Sequence, residues 1–567
     1  MRSAGVIKKA LLAVWCLLIT AMVSQAARPM GGLEFTPESG ISMELTNAYE
    51  DLPPYGFLPV RVNIKNGSPL PREWELRSDL NRGPFNSSTL TTRLAVPANA
   101  EQTFDLLLPL AAPSTSTSYT GTLNVMVRGY GILRPMASEF SSYSGRARLP
   151  YLGMGEALAS NYWGVLKKEI EQDGTYSLEG SSLSLNFLPE DWKGLVCFGI
   201  ILLADSEWKG LSTAQREAML SWVAQGGHLI FAHEMVDPLG LPAQGVMGAG
   251  RIEYWPLGDG FTNRAKELLI AQKDSSLPEI FSQFSTKWPF AKSLGSPELP
   301  RTALIIFVIL FGIIIGPVNL LWLAPSGNRH RLFWTTPIIS ISATVLLVLF
   351  IFLSEGLGGK GKRQVLEFYD AVNNRKIVWQ DQVARTGVLL DSSFALDSSV
   401  APFYLTLQGT KRGLRNGTFF TEGAQWGGDW FRSRALQGMA LISVSPTRER
   451  LEVSTGSDGV PSARSNFADE LQDVWFFGEN ETVWHAPMLA PGVSTALQPA
   501  TTQQFSSWFD TQRKTVGPLL RSRANAMAAH PEQGKFFASR KQSSAIPTLN
   551  AIRWVNEPGL VVGQINP

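Results

Sequence analysis

At 567 residues the chain is too long for one hydrophobic core, and its 44% apolar and 17% charged residues are the balance of globular protein with some membrane content. Its 50 Lys and Arg against 48 Asp and Glu leave a formal charge of +2, which excludes the strong positive field of a nucleic-acid binder. The sequence holds no zinc-type Cys/His cluster and no RNA-binding signature, and no motif in it requires a cofactor.

Residues 1–26 read as a secretory signal peptide. Arg2, Lys8 and Lys9 make a basic start, residues 10–23 are an apolar run too short to span a bilayer core, and Ser24-Gln25-Ala26 offers small residues for cleavage after Ala26. An uncleaved anchor is the alternative. Cleavage removes Cys16 and leaves Cys197 alone, so the exported chain forms no internal disulfide, as a large envelope domain can afford.

Residues 33–150 read as an antiparallel β-sandwich. "GFLPVRVNIKN" (56–66), "TLTTRLAVPA" (89–98), "QTFDLLLPL" (102–110) and "TGTLNVMVRG" (120–129) alternate apolar and polar residues between Pro, Gly, Asn and Ser. Residues 151–290 change to an α/β pattern. "GLVCFGIILLAD" (194–205) is a continuous apolar run, the mark of a strand buried on both faces. "LSTAQREAMLSWVAQGG" (211–227) then sets Ser212 and Gln215 at capping-box spacing. It carries Ala218, Met219, Trp222 and Val223 on one stripe and places Gly226 for a left-handed helix end. "HLIFAHE" (228–234) and "GAGRIEYWPLG" (248–258) read as further strands, which makes a βαβ unit and a flavodoxin-like parallel sheet.

Residues 303–324 and 333–353 are long, uncharged apolar segments, each able to cross a hydrocarbon core as a helix. Residues 325–332 join them too closely for anything but an antiparallel hairpin. Within the first, Gly312 and Gly316 form a GxxxG pair that permits close helix approach, Pro317 loosens the helix and Asn319 can hydrogen-bond across an interface. The hairpin packing against itself and a helix from another subunit are both open readings. Arg329 and Arg331 favour a cytoplasmic link, whereas Lys287, Lys292 and Arg301 before the hairpin and Lys360, Lys362 and Arg363 after it favour the reverse. The signal peptide decides: the link is inside, and both large domains are periplasmic.

Residues 362–567 read as a β-rich domain with a helical stretch near the C-terminus. In that stretch Arg513, Lys514, Arg521 and Arg523 form a basic face, either solvated or in contact with anionic lipid or an acidic partner, and Pro518 divides or kinks the helix. "AIRWVNEPGLVVGQI" (551–565) closes the chain as a strand pair.

From Leu195 to Glu234 the strand, capped helix and second strand resemble the glutamine-amidotransferase-like fold. Continued through "GAGRIEYWPLG" and "FGIIIGPVNLLWLAPSGNRHRLFW", the pattern is similar to a group of bacterial membrane proteins that join a β-domain, an amidotransferase-like domain and a two-helix transmembrane hairpin. The resemblance implies an inner-membrane protein working beside MoxR-type ATPases and von Willebrand A-domain proteins. Catalytic amidotransferases place a cysteine at the tight turn after the second strand and a histidine further on. Here that turn holds Ala232, His233, Glu234 and Met235, and no histidine occurs between Glu234 and Arg301. The expectation is therefore a pseudoenzyme: a non-catalytic scaffold or coupling subunit in contact with the lipid bilayer and other envelope proteins. Asp205, His233 and Glu234, at the carboxyl ends of neighbouring strands, mark the pocket that an envelope enzyme or ligand sensor would use instead.

Overall fold

The computed structural model describes residues 28–81, 87–110, 119–144, 147–172, 174–233, 240–284, 288–295, 301–405, 407, 414, 416–456, 459–529, 531–541 and 543–565. The signal peptide and Glu234 lie outside the described residues. Within them the chain is multidomain and strand-rich, with several sheets and two long apolar helices.

The alternating segments near the N-terminus form strands because one face of each is apolar. Along Ile41–Asn47 the residues Ile41, Met43 and Leu45 are buried while Ser42 and Glu44 are exposed. One antiparallel sheet runs Arg28–Pro29, Ile41–Asn47, Gly56–Asn66, Ala100–Leu110. A second contains Met136–Ser144, Tyr119–Gly129, Arg72–Asn81 and Ser87–Val96. Val60 and Val62 of the first and Trp74, Leu76 and Leu94 of the second belong to one apolar core.

This second sheet does not end with its own domain. Gly417–Phe420, far along the chain, adds to Ser87–Val96 as a parallel strand with Gly417 opposite Ser88 and Phe420 opposite Thr91. Gln425–Gly428 and Phe394–Ala395 extend it further. The boundary near residue 150 is thus crossed by C-terminal chain, which local patterning gives no means of seeing.

The middle region is a six-stranded sheet in the order Gly180–Leu183, Leu152–Gly155, Ile200–Ala204, His228–His233, Gly250–Pro256, Gly245–Met247. All pairs are parallel except the last. Thr213–Ala224 is the connecting helix between the third and fourth of these strands in chain order. Its capping box forms as the spacing predicts: Ser212 Oγ accepts from Gln215 N at 3.1 Å and Gln215 Oε1 accepts from Ser212 N at 2.9 Å. Ala218, Met219, Trp222 and Val223 are all buried, and Gly226 has φ +121°. The apolar run 194–205 is not one strand. Its start is a short 3₁₀ turn, Trp192–Leu195, and only Ile200–Ala204 is extended.

Thr302–Leu323 and Arg329–Phe350 are long and apolar enough to cross a membrane. They are not core helices: Trp322 is 83% and Phe333 85% exposed, a surface that water does not tolerate on this scale. The first widens to π-type turns over Ile314–Leu323, around Pro317, which has no N–H to donate back along the helix. Asn319 is fully buried against the second helix, and its Nδ2 donates to Thr336 Oγ1 at 3.1 Å. Gly312 and Gly316 are not used in this packing, because a Cβ on either would meet nothing within 4 Å. Gly312→Leu with Gly316→Leu is therefore expected to leave the thermal stability of the detergent-purified hairpin within about 0.5 kcal/mol. Thr336→Val should lower it by about 1 kcal/mol through loss of the Asn319 bond. A larger loss from the glycine pair than from Thr336→Val contradicts this packing.

The C-terminal region is built on a ten-stranded mixed sheet around Gly359–Asp370 and Arg375–Thr386. The closing residues form two strands as expected, but the two do not pair with each other. Ile552–Asn556 and Gly559–Gln564 pair in succession, both parallel, with the single long strand Gly359–Asp370. Pro518 divides the helical stretch as expected, into Thr502–Thr515 and Pro518–Ala528.

Candidate functional site

Asp205 and His233 leave the sheet side by side, because Ala204 and Ala232 are register partners on adjacent strands. Asp205 is the first residue of the helix Asp205–Gly210 rather than the last of a strand. His233 ends its own strand; its carbonyl accepts from Leu257 N at 2.7 Å, and its Nδ1 has no partner among the described residues. The strand ends are covered from one side. Trp208 Nε1 donates to Gly240 O at 3.0 Å and Tyr254 Oη donates to Pro242 O, which holds residues 240–242 against the two rings that pack on Phe231. Among the described residues no group of three His, Cys, Asp or Glu could hold a metal ion.

The crevice where the strand order reverses, between Leu152–Gly155 and Ile200–Ala204, is where such sheets take ligands. It is filled by the chain itself. Glu207 is 6% exposed, and its carboxylate accepts from Ala157 N at 2.9 Å and Ala204 N at 2.8 Å, bridging the two strand ends. Gly155 leaves the space that this carboxylate occupies.

Cys197 sits on the turn ahead of its strand and not within it. It is fully buried with Sγ 3.8 Å from Gly194 O, and burial pushes its thiol well above the usual range. A thiol held protonated in apolar surroundings is a packing residue, not a nucleophile.

The opposite end of the sheet is more open. A cavity of about 440 Å³ lies where all three regions meet. Tyr55 reaches it from the N-terminal sheets, Trp222, Gln225 and His228 from the α/β region, and Ile442 and Arg523 from the C-terminal region. His228 Nδ1 lies 2.7 Å from Gln272 Nε2, which donates to it, so the ring proton resides on Nε2, 3.2 Å from Glu253 Oε1. Burial lowers the His228 pKa, while the His228 contact, Trp255 and Arg251 hold Glu253 down to about 2. The resulting pair is a neutral imidazole lying against a carboxylate at ion-pair distance, without a hydrogen bond between them.

Arg523 departs most from the sequence reading. The expected basic face does not exist as one surface. Arg513 pairs with Asp510 at 2.8 Å, and Arg521 caps the preceding helix through Arg513 O and Val516 O, each at 3.0 Å. Arg523 turns inward with Leu519, Leu520, Ala524 and Met527. Pro518, fixed at the first helical position, sets that phase, and position 523 lies in the resulting apolar stripe.

No family model matches the chain, and no curated protein does. Among solved structures, the yeast δ-COP-I mu-homology domain shares 9% identity over 36% of this chain and 96% of its own, with a TM-score of 0.17. A Bacteroides uniformis β-glucuronidase shares 12% over 42% of this chain and 38% of its own, with a TM-score of 0.18. Likeness at that level carries no argument about fold or activity.

Proposed function

We propose that the chain is a non-catalytic inner-membrane scaffold or coupling subunit of a bacterial envelope complex, with an amidotransferase-like pseudoenzyme domain and a β-sandwich on the periplasmic side. The observation that carries this reading is the strand Gly417–Phe420 in register with Ser87–Val96. Chain that precedes the apolar hairpin and chain that follows it share one sheet, so both stand on the same face of any membrane the hairpin crosses. Further links act in the same sense: Arg375 Nη1 donates to Ser221 Oγ at 2.8 Å, Lys193 Nζ to Ser398 O, and Phe281 packs on Phe403 with ring centres 5.4 Å apart. A body joined across its regions and anchored by two spans, with a filled crevice and a buried cysteine, suits holding partners more than turning over substrate. MoxR-type ATPases and von Willebrand A-domain proteins are the partners this reading proposes.

The test uses single cysteines in a Cys16→Ser background, where buried Cys197 stays silent. Leu70 is 56% and Leu390 84% exposed, and Ser326 is exposed in the link. Leu70→Cys and Leu390→Cys should react with a membrane-impermeant maleimide in spheroplasts, and Ser326→Cys only after lysis. Labelling of Leu70→Cys and Leu390→Cys from opposite sides would sink the shared sheet and the scaffold with it. Copurification in mild detergent then identifies the partners.

A further inference from the structure

The 440 Å³ cavity at the three-way junction holds a charge that the fold leaves unanswered. Arg523 is 8% exposed, and among the described residues its guanidinium makes no ion pair or hydrogen bond; Nε is fully enclosed without a partner. It lies against Gly226, whose missing side chain makes the room. Among the described residues no carboxylate pairs with it: Glu253 is held by Arg251 and Trp255, Asp370 by Arg375 at 3.2 Å, and the fully buried Asp381, against Gly517 at the start of the same helix, has its carboxyl pushed well up by burial toward the neutral form. Tyr55 faces the guanidinium, but burial raises its pKa, so it stays neutral. Arg523 itself is lowered only to about 10 by burial and remains a cation at neutral pH. A buried cation without a counter-charge is costly, and proteins keep one where a ligand supplies the missing anion.

Gln225, on the same cavity, adds a second unanswered atom. It is 4% exposed; Nε2 donates to Ser221 O at 3.0 Å and Oε1 has no partner among the described residues. An acceptor in that position asks for a donor from whatever fills the space. Phe198, Trp222 and Ile442 give the remaining wall an apolar character. The volume falls in the range of ordinary small-molecule sites.

We propose that this cavity binds a small organic oxyanion, a carboxylate or phosphate ester with an apolar body and a hydrogen-bond donor, with its charged group on the Arg523 guanidinium and its donor on Gln225 Oε1. The guanidinium fork is matched to either oxyanion. The ligand touches all three regions, so its occupancy ties them together. This inference stands apart from the scaffold reading, since a ligand at the junction neither needs nor excludes envelope partners.

The experiment is thermal unfolding of the full chain in mild detergent, titrated with inorganic phosphate, 4-hydroxybenzoate, 4-hydroxyphenyl phosphate and neutral 4-hydroxybenzamide. At least one organic anion should raise Tm saturably and the amide should not, because only a ligand bound to the folded state shifts the midpoint. The benzoate and phosphate-ester arms separate the two oxyanions. Arg523→Met should weaken that binding about 10- to 100-fold while leaving the ligand-free Tm unchanged or higher. Ala526→Glu places a carboxylate three residues along the same helix face; it should raise the ligand-free Tm and abolish the anion response. A helix-capping role for Arg523 predicts instead a lower ligand-free Tm in Arg523→Met and no response to any anion, and that result overturns the proposal. So does an anion response that Arg523→Met and Ala526→Glu leave intact.

Discussion

Glu367→Ala is expected to be the most damaging single change in the C-terminal sheet, costing about 3–5 kcal/mol. Glu367 is fully buried on Gly359–Asp370 and is the only acidic group in direct reach of Arg540 among the described ion pairs, with Oε2 3.0 Å from Nη1. Its other oxygen lies 3.0 Å from Lys376 Nζ, and Tyr369 Oη donates to Oε2 at 3.3 Å. Arg540 is 2% exposed, and its Nε and Nη2 already lack partners, so removing Glu367 strands a buried guanidinium over the Phe467 ring. Arg450 and Glu452 form a comparison pair at 2.8 Å, but both are about half exposed, and Glu452→Ala should cost under about 1 kcal/mol. Denaturation of the two variants side by side decides the matter. Equal costs would mean that water reaches the Glu367 cluster and that burial does not set its strength. Glu367→Ala combined with Arg540→Ala should cost less than the two single losses added, since the second change removes the charge that the first leaves unpaired.

How far the sequence foretells this molecule depends on whether the determining contacts are local. The strand Gly56–Asn66 and the helix Thr213–Ala224 follow from period and capping chemistry, which act within one element. Arg72–Asn81 carries the same alternation at Trp74, Leu76 and Leu80 and is legible by the same rule, although it is absent from the strands expected above. The parallel pairing of Gly417–Phe420 with Ser87–Val96 is not legible, because it joins short segments more than 300 positions apart and neither encodes its partner. At the strand ends, adjacency of Asp205 and His233 follows from the βαβ reading alone. The filling of the neighbouring crevice does not, since it depends on the rotamer of Glu207 and on the one position, Gly155, that admits it. Arg523 is the instructive error. Counted by charge it joins a basic face; counted by helical phase from Pro518 it falls between Leu520 and Met527 on the buried side. Phase outranks charge when a proline fixes the helix start.

Gly155→Ala and Glu207→Ala should each cost about 2–4 kcal/mol, and together they should cost clearly less than their sum. A Cβ at Gly155 runs into the Glu207 carboxylate. The end of a flexible side chain ordinarily swings aside at little cost. Here it cannot, because the carboxylate accepts from Ala157 N at 2.9 Å and Ala204 N at 2.8 Å, and displacing it leaves both amides unanswered in a buried place. Glu207→Ala has the same consequence by a different route: the amides lose their acceptor and a cavity opens between the two strands. Once Glu207 is gone, the methyl group of Gly155→Ala has room and refills part of that cavity, so the pair of changes couples favourably. Urea unfolding of the parent, both single variants and the double variant measures the coupling. Simple additivity would mean that Glu207 does not occupy the crevice in solution. The topological switch point would then be open to a ligand, and the reading of this end of the sheet as filled would have to be given up. A coupling of about 1 kcal/mol or more places the carboxylate where the geometry has it, as an internal substitute for the ligand that sheets of this order otherwise bind.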